Sequence, residues 1–178
     1  MTDKPALRAQ LRARRDAFVA TGHPTLTPPP AYLERLAPGT TVAAYAPVGS
    51  EADPATLISA ARAAGCRIAL PHVTTRAEPL RFLAWAEDDT LTSGPLGLRQ
   101  PAADAAECDP DVILTPLVGF DAARNRLGQG AGHYDRAFAR FPDAWRLGIA
   151  YSVQRVAGLP VEPWDVPLHA ILTESELL

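Results

Sequence analysis

Apolar runs alternate with amphipathic stretches along this chain of 178 residues, and this alternation constrains its fold more than any other feature. The run TVAAYAPV at 41–48 is almost uninterrupted, as expected for a strand that is buried on both faces. Asp53 and Pro54 then open a helical stretch that Gly65 closes, and the next apolar run, CRIALP, occupies 66–71. A strand, a helix and a strand in this order predict a parallel pair with a right-handed crossover.

The remainder of the chain continues this pattern. A helix is predicted over YDRAFARF, with Tyr134, Phe138 and Phe141 on one face. Residues 92–102 are rich in Gly and Pro and predict an irregular stretch. Further segments have the apolar character of strands: 80–86, 111–118, 146–152 and 169–174. The pattern predicts an α/β fold, with a three-layer α/β/α arrangement, a mostly parallel central sheet and one domain over residues 1–178.

An amphipathic helix is predicted at the start of the chain, over 5–20. Thr2 or Asp3 can cap it, and Pro5 occupies an early position where its missing N–H costs nothing. The apolar stripe of this helix consists of Leu7, Leu11 and Phe18, and the basic residues off that stripe are Lys4, Arg8, Arg12 and Arg15. Residues 21–30 are proline-rich and cannot be helical, so they are expected to tether the helix to the body.

Composition and charge exclude several classes of protein. The chain is 47% apolar and 21% charged with a net charge of −3, which is typical of a globular protein and not of a disordered one. It has no basic cluster that would point to nucleic acid, no apolar segment long enough to span a membrane and no signal-peptide core. Cys66 and Cys108 lack the spacing of a disulfide framework or a zinc site, and the four histidines show no metal-binding spacing. We expect a cytoplasmic monomer that binds neither nucleic acid nor membrane.

The sequence also indicates where a ligand could bind. In an open parallel sheet, ligands lie outside the carboxyl ends of the strands, so the loops after Val48, Val118 and Ser152 are candidates. RLGQGAGHYDR at 126–136, called here the glycine loop, leads directly into a predicted helix. Glycines let a backbone approach phosphate closely, and Arg126 and Arg136 flank the loop with charge that pairs with phosphate oxygens. Asp135 has the wrong sign for a bare phosphate and the right sign for Mg²⁺.

Simpler interpretations of these residues stay open at this stage. The loop matches neither the Walker pattern nor GxGxxG. A glycine-rich turn before a helix has a purely structural role about as often as it binds a ligand. Asp165 lies between prolines and is most simply a turn residue, although it is a candidate second acid. Glu51 follows the first strand and is equally well explained as a solvated carboxylate or as a functional one.

Segments of the chain, taken in order, form a more specific pattern. They are the KxxxR helix with Lys4 and Arg8, YAPVGSE at 45–51, GFDxxxxRLGxGxGxYDR at 119–136, AYSVQ at 150–154 and PVEPWDVPLHAILTE at 160–174. In these segments the chain resembles the 5-formyltetrahydrofolate cyclo-ligase family over essentially its whole length. The long block is highly specific, whereas KxxxR and the single Glu gain weight from their order and spacing.

The resemblance implies an ATP- and Mg²⁺-dependent closure of 5-formyltetrahydrofolate to 5,10-methenyltetrahydrofolate, with release of ADP and phosphate. It implies that the catalytic residues are Lys4, Arg126 and Asp135. It implies that ATP is bound by Lys4, Arg8, Arg126, Leu127, Gly128, Gln129, Gly130, Ala131, Gly132, His133 and Tyr134. The folate is expected to border Ala46, Glu51, Gln129, Gly130, Ala131, Gly132 and His133, and Mg²⁺ to be held by Asp135 and Asp165. In the family the formyl oxygen takes the γ-phosphoryl group, after which N10 attacks and phosphate leaves.

Two positions depart from the pattern RLGxGGGYYDR that many relatives share. Ala131 stands in place of the central Gly, so its φ is expected to be negative. His133 replaces the first Tyr, and we hypothesise that it makes folate binding sensitive to pH.

Two alternatives to a ligase are considered. An altered loop could leave a folate- or nucleotide-binding module without turnover. A sugar-phosphate isomerase or an acyl-CoA transferase has a similar α/β/α build, but it would need a Glu or Lys base or a Glu nucleophile and not two separated acids for Mg²⁺.

Lys4 is the only lysine among 17 basic residues, the other 16 being Arg. A lysine ammonium is a compact charge that arginine does not replace freely at a phosphate. The bias toward arginine therefore predicts that Lys4 is functional.

Overall fold

The computed structural model describes residues 3–75 and 77–178. Its helices are α1 (Lys4–Val19), α2 (Pro30–Leu33), α3 (Ala55–Ala63) and α4 (His133–Arg140). Its strands are β1 (Thr41–Ala43), β2 (Arg67–His72), β3 (Arg81–Ala84), β4 (Thr92–Ser93), β5 (Arg99–Gln100), β6 (Val112–Pro116), β7 (Gly119–Phe120), β8 (Arg126–Leu127), β9 (Trp145–Ile149) and β10 (Ala170–Leu172). Short 3-10 turns occupy Pro95–Gly97 and Ser152–Gln154.

A central sheet of six strands has the order β10-β9-β6-β1-β2-β3. Neighbouring strands pair in parallel except β2 and β3, which are antiparallel. Val42 of β1 lies opposite Ile68 of β2 on one side and Val112 of β6 on the other. The predicted βαβ unit of β1, α3 and β2 and the mostly parallel sheet are confirmed.

Alternate residues of each central strand enter different apolar clusters. Val42 and Leu114 pack in a cluster with Leu57 of α3, whereas Ala43 and Ile113 pack in a second cluster with Phe138 of α4. Because successive side chains of a strand point to opposite faces, these clusters lie on the two sides of the sheet. Helices therefore cover both faces, which confirms the three-layer arrangement.

The first strand is shorter than the predicted 41–48. Ala44 N still donates to Ala69 O at 2.8 Å, but beyond it the chain leaves the ladder. Pro47 has no N–H to donate, and Tyr45 and Ala46 instead line a pocket. The early end of β1 thus supplies residues to that pocket.

Small hairpins occur where the sequence predicts loops. β4 pairs with β5 within the stretch 92–102, and β7 pairs with β8 inside the block at 119–136. Gln154 Nε2 donates to Leu117 O at 2.7 Å and to Val118 O at 3.1 Å, which anchors the start of the second hairpin. These two-residue strands have no periodicity that a sequence pattern could reveal.

Helix α1 is fixed to the body along its apolar side. Leu11 is fully buried, and a Cβ at Gly119 of β7 would lie 2.5 Å from Leu11 Cδ1, so a larger residue at 119 would force Leu11 to shift. Asp3 occupies the N-cap, as predicted, but its side chain makes no cap hydrogen bond, and Thr2 lies outside the described residues. In the predicted tether Leu26 is buried and its carbonyl accepts a bond from Thr56, so this connector is packed onto the core.

Among the described residues, no helix has both the length and the apolar character needed to cross a bilayer.

Candidate functional site

A pocket of about 480 Å³ lies at the carboxyl ends of the central strands. Tyr45 and Ala46 follow β1, and Pro71 and Pro116 lie at the ends of β2 and β6. Helix α1 and the glycine loop form other walls. The residues that the sequence assigns to a site all line this pocket: Lys4, Arg8, Ala46, Glu51, Arg126, Leu127, Gly128, Gln129, Gly130, Ala131, Gly132, His133, Tyr134, Asp135 and Asp165.

The basic residues of α1 face this pocket in a row. Positions 4, 8, 12 and 15 fall on one side of a helix and extend about 16 Å along its axis, and all four side chains line the pocket. Arg8 Nε donates to Gly128 O at 2.8 Å, and the guanidinium of Arg12 donates to the Gln129 side chain. These bonds join α1 to the glycine loop.

The glycine loop has the backbone geometry of an anion site. Gly130 has φ +99°, and Gly132, with φ +69°, is the N-cap residue of α4. A Cβ at Gly130 would lie 3.3 Å from Arg8 Cζ, so the absent side chain leaves room for the arginine. Ala131 is not among the described residues with positive φ, which confirms the expectation for that position. The first N–H groups of α4 therefore begin at the pocket wall, where they favour negative charge.

Arg126 and Asp135 form an ion pair on this wall. The side chain of Arg126 is only 7% exposed, and its guanidinium carbon lies 5.0 Å from the centre of the Phe138 ring. Asp135 follows the N-terminus of α4 and is 26% exposed. The pair fixes Arg126 at the base of the loop.

Lys4 contacts two carboxylates from the segment between β9 and β10. Its Nζ lies 3.6 Å from Asp165 Oδ2 and 3.7 Å from Glu162 Oε1. Asp165 Oδ2 also accepts a bond from Glu162 N at 2.8 Å, so the two acids belong to one turn. This contact brings the two distant motifs KxxxR and EPWDVP together, and Glu162 is an addition that the sequence analysis missed.

Glu51 also lines the pocket and is held through both oxygens. Val48 N donates to Oε2 at 3.0 Å, and Gln129 Nε2 donates to Oε1 at 3.1 Å. Burial raises the pKa of Tyr45 and of Tyr134, and the nearby Glu51 carboxylate raises it further. Both phenols therefore stay protonated and present aromatic surface next to a carboxylate.

The acidic residues suit a metal only in partnership with a ligand. Asp135 and Asp165 both line the pocket, but the described residues contain no group of three or more His, Cys, Asp or Glu side chains placed to hold an ion. Mg²⁺ commonly takes one or two protein carboxylates and completes its shell with phosphate oxygens and water. The residues therefore fit a Mg²⁺ that arrives with a polyphosphate.

Some pocket residues were not predicted as site residues, and one predicted neighbour does not reach the pocket. Arg136 Nη1 donates to Ala131 O at 3.1 Å and Nη2 lies 3.0 Å from His133 Nδ1, so Arg136 supports the glycine loop from outside the lining. All three candidate loops contribute to the pocket, and the connection that follows Ser152 does so through Asp165. The additional lining residues are Arg12, Arg15, Tyr45, Val48, Pro71, Val73, Leu80, Leu98, Arg99 and Pro116. The spacing of Arg12 and Arg15 was visible in the sequence, whereas the apolar wall forms only when distant segments meet.

Comparisons with known proteins agree in sequence and in structure. A family profile described as the 5-formyltetrahydrofolate cyclo-ligase family matches residues 1–174. The 5-formyltetrahydrofolate cyclo-ligase of Escherichia coli K12 is 36% identical over 144 residues, which cover 77% of this chain and 79% of the relative. The same-named protein of Mycolicibacterium smegmatis is 34% identical over 143 residues, covering 76% of this chain and 74% of the relative.

Two solved structures have the same fold. The 5,10-methenyltetrahydrofolate synthetase of Mycoplasma pneumoniae superposes with a TM-score of 0.69 at 26% identity, covering 97% of this chain and 99% of that one. The NMR structure of the 5,10-methenyltetrahydrofolate synthetase of Aquifex aeolicus gives a TM-score of 0.67 at 25% identity, covering 99% and 84%.

Proposed function

The chain belongs to the 5-formyltetrahydrofolate cyclo-ligase family, and from that premise we propose that the pocket beneath α1 is where ATP and 5-formyltetrahydrofolate react. The protein is a ligase that closes 5-formyltetrahydrofolate to 5,10-methenyltetrahydrofolate with the use of ATP. One observation carries the placement of the site: the residues assigned from the sequence, which come from four separate segments, all line one cavity.

The nucleotide phosphates are assigned to the wall formed by α1 and the glycine loop. Lys4 and Arg8 supply positive charge from the helix, and Arg126 supplies it from the base of the loop. The loop from Arg126 to Tyr134 follows the phosphates with backbone N–H groups and ends at the N-terminus of α4. Phosphoryl transfer needs mainly positioning and neutralisation of charge, and these groups supply both.

We assign Mg²⁺ to Asp135 and Asp165, whose carboxylates would hold it together with phosphate oxygens. When bound, the ion would neutralise charge on the transferring phosphoryl group. Each of these acids contacts a basic side chain, Arg126 or Lys4. Binding of the nucleotide with its ion would therefore exchange these contacts for contacts to phosphate.

The folate is assigned to the side of the pocket that contains Glu51 and Ala46. Gln129 links this side to the nucleotide side, because its amide contacts both Glu51 and Arg12. His133, at a position where relatives often have tyrosine, belongs to the glycine loop and also lines the pocket. The apolar residues Pro71, Val73 and Leu80 extend this side of the cavity and suit the flat rings of a folate.

The reaction then needs two displacements between groups held side by side. The formyl oxygen attacks the γ-phosphorus and the bond to ADP breaks; N10 next attacks the formyl carbon, the phosphorylated oxygen leaves as phosphate, and N10 loses its proton. Arg126 and Lys4 stabilise the charge that moves onto ADP and phosphate. No nucleophile of the protein takes part, so the site works by holding the two substrates in line.

We also propose a cytoplasmic monomer. Cys66 and Cys108 are free thiols, which suits a reducing compartment. Size-exclusion chromatography with light scattering tests the oligomeric state.

The test of function is direct. The protein is mixed with 5-formyltetrahydrofolate and Mg²⁺, and the near-ultraviolet absorbance of the methenyl product is followed before and after addition of ATP. We expect a signal that depends on ATP and stoichiometric release of ADP and phosphate. Binding of both ligands by calorimetry without any ATP-dependent signal would instead support a binding module without turnover.

A further inference from the structure

Arg15 is a buried cation that lines the pocket and has an unused donor. The residue is 5% exposed, and its Nε donates to Ser50 Oγ at 2.9 Å. Its Nη1 atom is fully buried, and no described residue accepts a hydrogen bond from it. Buried polar atoms are almost always paired, and an unpaired charged donor is costly. A ligand atom in the pocket is therefore the natural acceptor for Nη1.

The surroundings of Arg15 favour a neutral acceptor over a second anion. The hydroxyl of Ser50, which accepts from Arg15, itself donates to Asp16, and the next residue along the chain is Glu51. Burial and the Asp53 carboxylate raise the pKa of Tyr151, whereas Arg15 lowers it, so a further carboxylate lies in the same region. Acidic side chains thus already lie in the surroundings of Arg15, and a carbonyl oxygen suits Nη1 better than a phosphate or carboxylate.

Glu51 completes a complementary pair of groups beside Arg15. Its oxygens accept from Val48 N and Gln129 Nε2, and each oxygen keeps a further lone pair for a ligand donor. The pocket wall therefore presents a donor, from Arg15, next to an acceptor, from Glu51. The pteridine ring of a folate has the matching edge, since its 4-oxo carbonyl lies beside the N3–H and 2-amino donors. Tyr45 and Tyr134 lie close to the same carboxylate and offer aromatic surface to a flat ring.

We propose that Arg15 is a substrate-binding residue whose Nη1 donates to the 4-oxo group of the pteridine while Glu51 accepts from the adjacent N–H and amino groups. This assignment rests on the proposed function and deepens it, because it fixes which end of the folate enters between α1 and Glu51. It also predicts that the enzyme discriminates between folates and their 4-amino counterparts.

The experiment compares two ligands on two proteins. Wild type and Arg15→Met are assayed for ATP-dependent methenyl formation with 5-formyltetrahydrofolate, and the 5-formyl derivative of 4-amino-4-deoxytetrahydrofolate is titrated in as a competitor. We expect wild type to bind the 4-oxo compound about 10- to 100-fold more tightly, the range expected for one charged hydrogen bond. Arg15→Met is expected to raise KM for the folate by a similar factor, to lower this preference to the part that comes from Glu51 and N3–H, and to change KM for ATP less than about threefold.

Arg14→Met is the matched control, because Arg14 belongs to the same helix, is exposed, does not line the pocket and donates to Val153 O at 3.3 Å. It should behave as wild type. Equal preference for the two ligands in wild type, or the same preference in wild type and Arg15→Met, overturns the proposal. If Arg15→Met does not fold by circular dichroism, Arg15→Lys replaces it, and the wild-type preference still decides by itself. Absence of any ATP-dependent product from wild type overturns the proposed function. Normal turnover of wild type, together with an Arg15→Met variant whose KM for the folate and ligand preference equal those of wild type, overturns this assignment alone.

Discussion

Replacing Lys4 by methionine separates a role in ATP use from a role in stability. Lys4 Nζ lies 3.6 Å from Asp165 and 3.7 Å from Glu162, and the lysine side chain is 25% exposed. Such partly exposed ion pairs are screened by solvent and contribute about 0.2–1 kcal/mol to the free energy of unfolding. For a chain of this size the change lowers Tm by about 2–4 °C or less.

The expected effect on ATP is larger. A charged contact to phosphate is worth about 1.5–3 kcal/mol, so Lys4→Met should raise KM for ATP roughly 10- to 100-fold and leave KM for the folate nearly unchanged. Lys4→Arg keeps the charge but not the compact ammonium, and it should weaken ATP use to a smaller extent.

Initial rates are measured from the methenyl absorbance at varied ATP with saturating folate, and Tm is measured on the same preparations. Arg155→Met is the control, since Arg155 forms an ion pair with Glu176 at 2.9 Å, is 44% exposed and does not line the pocket. It should lower Tm by a comparable amount without changing KM for ATP. An unchanged KM for ATP in Lys4→Met, or equal kinetic effects of the two variants, would refute the role assigned to Lys4.

Three further outcomes are expected. Asp135→Asn should lower turnover by more than tenfold, with partial recovery at raised Mg²⁺. It should also lower the free energy of unfolding by about 2 kcal/mol, because Arg126 is left buried without its partner. Unchanged turnover would remove Asp135 from the site. Gly130→Ala should cost about 1 kcal/mol and raise KM for ATP, because the left-handed backbone becomes strained and the new Cβ meets Arg8; wild-type values would contradict the loop geometry. Burial lowers the pKa of His169 below 6.5, so as the pH falls the unfolded chain binds this proton before the folded protein does. The contribution of neutral His169 to stability is therefore complete above pH 6.5 and is lost as the pH falls below that value. The fall in Tm between pH 7.5 and 5.5 should therefore be smaller in His169→Asn than in wild type, and equal slopes would contradict this.

The central sheet could be predicted because its strands are short runs that bury both faces. The run containing β6, DVILTPLV, has no polar alternation and could only lie in the interior of a parallel sheet. β1 is shorter than predicted because the chain leaves the ladder after Ala44, and Pro47 has no N–H with which to rejoin it. The hairpin of β7 and β8 could not be predicted, because it is held by Gln154 from a later segment.

The candidate site also has a part that the sequence predicts and a part that it does not. Lys4, Arg126 and Asp165 could be assigned because they belong to recognisable motifs. Contacts between motifs, such as that of Lys4 with Glu162, depend on how distant segments meet and leave no local signal. The importance of Arg15 could not be read from spacing alone, because its unpaired nitrogen appears only when its surroundings are known.

The ion pairs of the pocket also determine how ATP binding should respond to salt. Lys4 and Arg126 have counter-ions within the chain, Asp165 and Asp135, whereas Arg8 donates to a neutral backbone oxygen. In the proposed site, nucleotide binding would replace a carboxylate by a phosphate at the paired cations, and added salt weakens the attraction of the cation for either anion. The affinity for ATP should therefore fall with ionic strength less steeply than the number of basic side chains in the pocket would indicate.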